Sequence, residues 1–237
     1  MTKTNRHTQL EAIVLHKRPQ PNGDVILTVF DRYNGKLKAL AKKVLLPTSH
    51  RSGRLETGFY ILAHAHKKPN SNLYTLGRIE QYESFWDILI DLDRAAWFFR
   101  VLDLVNKTIP DNYPHPDLFD NLVDLFLALD LYIFTNDQPN YELIQLTFHA
   151  FEAKLLYHLG YWPKEKIRHK KWQKVIHFLL HKTPSEILSL NFSRSHTNFI
   201  NQLQTFLDQL HQNLIEYQPI SPSFFNKLKI KQSHDQD

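Results

Sequence analysis

Side chains able to do chemistry are plentiful in this chain, but few stand at the spacings that chemistry needs. His64-Ala-His66 would put two imidazoles on one strand face, because strand side chains alternate with period two, yet no third metal ligand is suggested nearby. Asp87, Asp91 and Asp93 follow at i, i+4 and i+6, which reads as the polar face of a helix. Asp24 with Ser49 or Ser52 has no histidine placed to complete a triad. The sequence has no G-x-S-x-G, Walker A loop, G-x-G-x-x-G or H-E-x-x-H. With no cysteine there is neither a disulfide framework nor a thiolate zinc site. The expectation is a chain without catalysis, metal or cofactor.

The cations are better arranged. Lys36 and Lys38 share a strand face, and Lys42, Lys43, Arg51 and Arg54 follow in the stretch AKKVLLPTSHRSGRLE, residues 41–56. Such a set can track phosphates, which supply most sequence-independent nucleic-acid affinity. Lys170, Lys171 and Lys174, in a second basic run, either extend that path or form a solvated helix face. Phe30, Tyr33, Phe59, Tyr60 and Tyr74 lie among the strands, where rings either stack bases or fill a core.

Charge is unevenly distributed. Residues 1–80 hold 14 Lys/Arg against 5 Asp/Glu, residues 81–163 hold 4 against 13, and residues 164–237 hold 11 against 6. Two basic ends around an acidic middle point to a polyanionic partner for the ends; the alternative is that the ends dock on the middle. No apolar run approaches the roughly 20 residues of a bilayer span, and the N-terminus lacks a signal-peptide core. A cytoplasmic location and no membrane partner are expected.

Five short β-prone runs (11–16, 25–30, 36–41, 58–63 and 73–77) are separated by turn residues, with Asn34-Gly35 a strong hairpin signal. They fit a small antiparallel barrel, of OB or SH3-like type. From Ser84 the period lengthens. One helix is predicted to end before Pro110, with others over 116–134, 141–159 and 199–217, and Thr183-Pro-Ser-Glu186 is a capping box. The fold class is α+β, multidomain: a barrel domain over 1–80 and an all-helical domain over 81–237.

Glu11-Ala-Ile-Val-Leu15, Gly23-Asp24, Leu27-Thr-Val-Phe30, Asn34-Gly-Lys-Leu37, Ala41-Lys42, Pro47, Ser49, Gly53 and Leu55-Glu56 together resemble the N-terminal pattern of the RecO recombination mediators. Phe151-Glu-Ala-Lys-Leu-Leu-Tyr-His-Leu-Gly-Tyr-Trp-Pro163 is similar to a later segment of that family, and Leu214-Ile-Glu-Tyr217 with Ser221 and Phe224-Phe225 to its C-terminal one. The resemblance implies an N-terminal five-stranded OB-fold, a helical C-terminal domain and no catalysis. It implies binding to single- and double-stranded DNA, strand annealing, and help to RecR in loading RecA within RecF-pathway repair. It also implies contact with the C-terminal tail of the single-stranded DNA-binding protein, and association with the nucleoid. An RNA-binding OB protein and an interaction scaffold without nucleic acid are the other readings.

The chain departs from the family pattern in three places. Where family members often carry a four-cysteine zinc module, this chain has Lys164 to Lys174, so zinc should be absent. Leu45 and Leu46 replace paired basic residues, and Lys43 replaces a glycine.

Overall fold

The computed structural model describes residues 7–51, 53–67, 71–161, 170–191 and 197–215. They fall into two compact units, one within Met1–Ser84 and Ile109–Asp120, the other within Phe85–Thr108 and Asn121–Asp237.

The first unit is built from β1 (His7–Pro19), β2 (Val25–Asp31), β3 (Gly35–Ala41), β4 (Tyr60–Lys67) and β5 (Leu73–Glu83). They close in the order β1-β2-β3-β5-β4, antiparallel except for the parallel β3–β5 seam. This is the expected OB-fold barrel, followed by helices in an α+β chain. Alternation drives it: Val25, Leu27 and Val29 on β2 and Leu37, Ala39 and Ala41 on β3 point inward and are buried. Asp31, itself buried, ties the β2–β3 turn by accepting the backbone N–H groups of Glu11, Tyr33 and Asn34. Gly35 is required twice over: its φ is +73°, and a Cβ there would lie 2.2 Å from the Tyr113 carbonyl oxygen.

One local feature breaks the alternation. Val14 pairs with Val29 but His16 with Thr28, so Leu15 is a bulge. The bulge keeps Val14 and Leu15 inside and turns His16 and Arg18 outward.

The second unit comprises α1 (Trp86–Leu89), α2 (Leu92–Thr108), most of α3 (Pro116–Thr135), α4 (Tyr141–His158), α5 (Lys170–His181), α6 (Pro184–Leu188) and α7 (Thr197–Ile215). The helix predicted over 84–109 is divided at Ile90–Asp91, where the Asp91 carboxylate accepts the backbone N–H groups of Asp93 and Arg94 and starts a new helix. The Thr183–Glu186 capping box has both of its hydrogen bonds.

A buried ionic cluster ties three of these helices. Arg100 on α2 donates to Glu152 on α4 and, at 2.5 Å, to Asp208 on α7; Arg100 and Glu152 are both fully buried. The buried His149 and His211 rings lie 3.5 and 4.0 Å from the Glu152 carboxylate. Burial works to raise Glu152, but the Arg100 charge and then His149 hold it well below the usual carboxylate range. Burial pushes the His211 imidazole below its ordinary value, against the pull of Glu152.

Both shifts have the same sign for stability. An imidazole kept neutral in the fold supports the fold above the unfolded-state value near 6.5 and withdraws that support as pH falls. Denaturant midpoints are therefore expected to drop between pH 7.5 and 5.5, with a shallower drop in His211→Leu. Equal midpoints at the two pH values would contradict this.

Candidate nucleic-acid interface

The cations of the barrel are placed by strand register and by one pinned loop. Register sets His16, Thr28 and Lys38 side by side across β1, β2 and β3, with Arg18, Ile26 and Leu40 in the next row. Neighbouring strands are about 4.8 Å apart, so these are adjacent side chains on one outer face. His16, Arg18 and Lys38 are exposed.

The other end of this face is occupied. Lys36 pairs with Asp111 at 3.2 Å, its carbonyl accepts the backbone N–H of Asn112, and Phe119 packs edge-on to Phe30. The structure thus separates Lys36 from Lys38 although they share a strand face.

The loop from residue 42 to 59 is held at both ends. Val44, Leu55 and Phe59 are buried in the barrel core, at 1%, 0% and 4% exposure. The turn before β2 holds it too: the Leu45 N–H donates to the Gly23 carbonyl, the Lys43 N–H donates to the Asp24 carboxylate at 2.8 Å, and the Leu46 side chain lies against Gly23. The exposed Leu45 and Leu46 therefore sit beside the β1–β2 turn. Lys43 has φ +56°, the left-handed region that favours glycine, where the family pattern has glycine.

Lys42 and Lys43 project from this pinned segment directly after β3. Arg51 is half-buried, with its guanidinium donating to the Leu76 carbonyl of β5 at 3.5 Å. Arg54 lies 5.3 Å from the centre of the Tyr82 ring, which also stacks on Phe59. Register puts Arg18 and Lys38 on one outer face, Lys42 and Lys43 follow β3, and Arg51 and Arg54 contact Leu76 and Tyr82 of β5. Among the described residues none of these side-chain charges pairs with a carboxylate, whereas Lys17 pairs with Glu56 and Arg32 with Glu11 and Asp120. Lys174 is exposed on α5; the side chains of Lys170 and Lys171, and residues 162–169, lie outside the described residues.

Of the candidate stacking rings, Phe30 and Phe59 are buried, Tyr60 and Tyr74 are half-buried, and Tyr33 is 62% exposed. Sequence reasoning missed Arg18 and Tyr82. Arg18 reaches the Lys38 face only through the bulge. Tyr82 was legible: Arg78, Glu80 and Tyr82 continue the β5 alternation outward beyond Gly77.

A family model described as "Recombination protein O N terminal" matches residues 5–85, and one described as "Recombination protein O C terminal" matches residues 89–166. The chain belongs to the RecO family. Relatives include the DNA repair protein RecO of Acetivibrio thermocellus, 29% identical over 66% of this chain and 59% of that protein. Those of Pelotomaculum thermopropionicum and Heliobacterium modesticaldum are 30% and 33% identical over 65% of this chain, and over 55% and 52% of their own lengths. The match thus spans little more than half of these RecO proteins. The C-terminal RecO model stops at residue 166, whereas α5, α6 and α7 lie beyond it.

The strain at Lys43 is testable without any ligand. Lys43→Gly relieves a left-handed residue, a conformation that costs about 1–3 kcal/mol, and should melt no lower than the parent in thermal denaturation. Asp24→Ala removes the carboxylate that holds this turn and should melt lower, by about 1 kcal/mol of stability. A Lys43→Gly variant that melts well below the parent would contradict this account of the loop.

Proposed function

We propose that this chain is a non-catalytic, DNA-binding mediator of recombinational repair. It binds single- and double-stranded DNA, anneals complementary strands, and works with a RecR-like protein to help load RecA. Contact with the C-terminal tail of the single-stranded DNA-binding protein, and a cytoplasmic, nucleoid-associated location, complete this reading. The observation that carries it is a set of cations whose side-chain charges pair with no carboxylate among the described residues: Arg18 and Lys38 on strands of an OB barrel, and Lys42, Lys43, Arg51 and Arg54 on a loop with buried anchors. Fixed cations without acidic partners suit a phosphate backbone, and family membership selects DNA among polyanions. Lys170, Lys171 and Lys174 are a second set of phosphate contacts in this reading, and Lys36 serves the barrel through Asp111.

In this reading the barrel domain over 1–80 holds the nucleic acid and the helical domain over 81–237 works without a zinc module. Of the candidate rings, Tyr33, 62% exposed, is the one best placed for a base to stack on, whereas Tyr82 already has Phe59 and Arg54 against its ring.

Strand annealing tests the proposal, run with and without the single-stranded DNA-binding protein and alongside competition between matched DNA and RNA strands. The chain is expected to anneal DNA under both conditions and to prefer DNA. Lys42→Glu/Lys43→Glu/Arg54→Glu should lose most binding, with a thermal melt alongside to show that the variant still folds, because Lys43 is strained beside Asp24 and Arg54 lies over Tyr82. Clear RNA preference would replace the repair reading with RNA handling. No binding at physiological salt would favour a scaffold, and unchanged affinity in the variant would remove the barrel loop from the site.

A further inference from the structure

The helical unit exposes two apolar rows side by side. On α3, Leu127, Leu131 and Phe134 stand at i, i+4 and i+7 and are 49%, 64% and 74% exposed. Trp86 of α1 and Ile90, which caps its C-terminus, stand at i and i+4 and are 62% and 75% exposed. The rows are neighbours because Asp130 of α3 accepts the backbone N–H groups of Asp87 and Ile88, at 3.1 and 3.3 Å. Asp130 lies three residues from Leu127 and four from Phe134, so it brings α1 alongside that stripe. Large apolar side chains grouped this way on a surface mark an interface.

The setting of the rows is acidic. Residues 116–140 hold five aspartates and no lysine or arginine. Beyond Ile90 and Phe134 a cleft of about 430 Å³ is lined by Asp91, Asp93 and Asp137 with Tyr141. Among the described residues the one cation lining it, Arg94, has its guanidinium 3.8 Å from the Asp91 carboxylate.

We propose that the α1–α3 face docks a partner protein through a segment that carries apolar side chains next to lysine or arginine. Apolar groups of that segment lie along Leu127, Leu131 and Phe134, and a basic side chain enters the Asp91–Asp93–Asp137 cleft. Charge complementarity selects this occupant. Nucleic acid and acidic peptides are repelled from the cleft. A second copy meeting the same face about a twofold axis would set aspartate against aspartate.

The test selects binders from a displayed library of random 16-residue peptides on the full chain, with counter-selection against Leu131→Glu/Phe134→Glu. Both substitutions are at exposed positions, and an unchanged thermal melt checks that the variant folds. Enrichment of apolar sequences rich in lysine or arginine is expected, with affinities at least tenfold weaker for Leu131→Glu/Phe134→Glu and for Asp91→Asn/Asp137→Asn. Enrichment of acidic sequences, or of none, would overturn the proposal. So would peptides that bind both variants as tightly as the parent. Sedimentation supplies a second check: dimers of the full chain that Leu131→Glu/Phe134→Glu dissolves would make a second copy the occupant. Binding seen only after Phe224→Ser/Phe225→Ser would assign the face to the chain's own FFNKLKIK run, again against the proposal.

Discussion

Val44, Leu55 and Phe59, which lie outside the five strands, are buried in the same core as the inward-facing strand residues. This packing fixes the 42–59 loop, because a loop with three residues in the core cannot swing away without exposing them. Removing a side chain of leucine size from such a site costs about 2–5 kcal/mol. The basic groups between the anchors are thereby presented at set positions, so less conformational entropy is lost when a ligand orders them. The strained Lys43, held by Asp24, and the Leu45 bond to Gly23 are consequences of the same packing.

Pairing then decides which cations are left for a ligand. Lys17, Arg32 and Lys36 have carboxylates within 4 Å and contribute to the barrel's own surface. The side-chain charges of Arg18, Lys38, Lys42 and Lys43 pair with no carboxylate among the described residues, although the Lys43 backbone N–H is held by Asp24. The acid-rich segment 116–140 carries the opposite sign, and its charge is accompanied by apolar side chains rather than by exposed basic ones. One chain thus carries two regions of opposite charge character, which the proposals assign to phosphates and to protein.

Much of this was legible in the sequence where local chemistry governs. Asn34-Gly35 and the alternation of Leu27, Val29, Leu37 and Ala39 define the β2–β3 hairpin before any tertiary contact, and the three- and four-residue period does the same for α3 and α4. Thr183 and Glu186 are a self-contained cap. The bulge at Leu15 was not legible, because it trades one backbone pairing for the burial of two consecutive apolar residues, a balance set by the partner strand. The break at Asp91 was missed because the apolar period runs through it; a side-chain cap outweighs the pattern there. The pairing of Lys36 with Asp111 joins residues 75 positions apart, beyond any local rule. The buried Arg100–Glu152–Asp208 cluster has the same origin: each residue reads alone as surface charge, and only the meeting of α2, α4 and α7 makes it core.

The most direct measurement is the salt dependence of single-stranded DNA affinity, for the intact chain and for Arg18→Ala/Lys38→Ala. If the β1–β2–β3 face holds phosphates, log affinity falls linearly with log salt, and the slope shrinks by about 0.7 for each contact removed. A slope near zero in the intact chain, or the same slope in the variant, would contradict phosphate binding at this face.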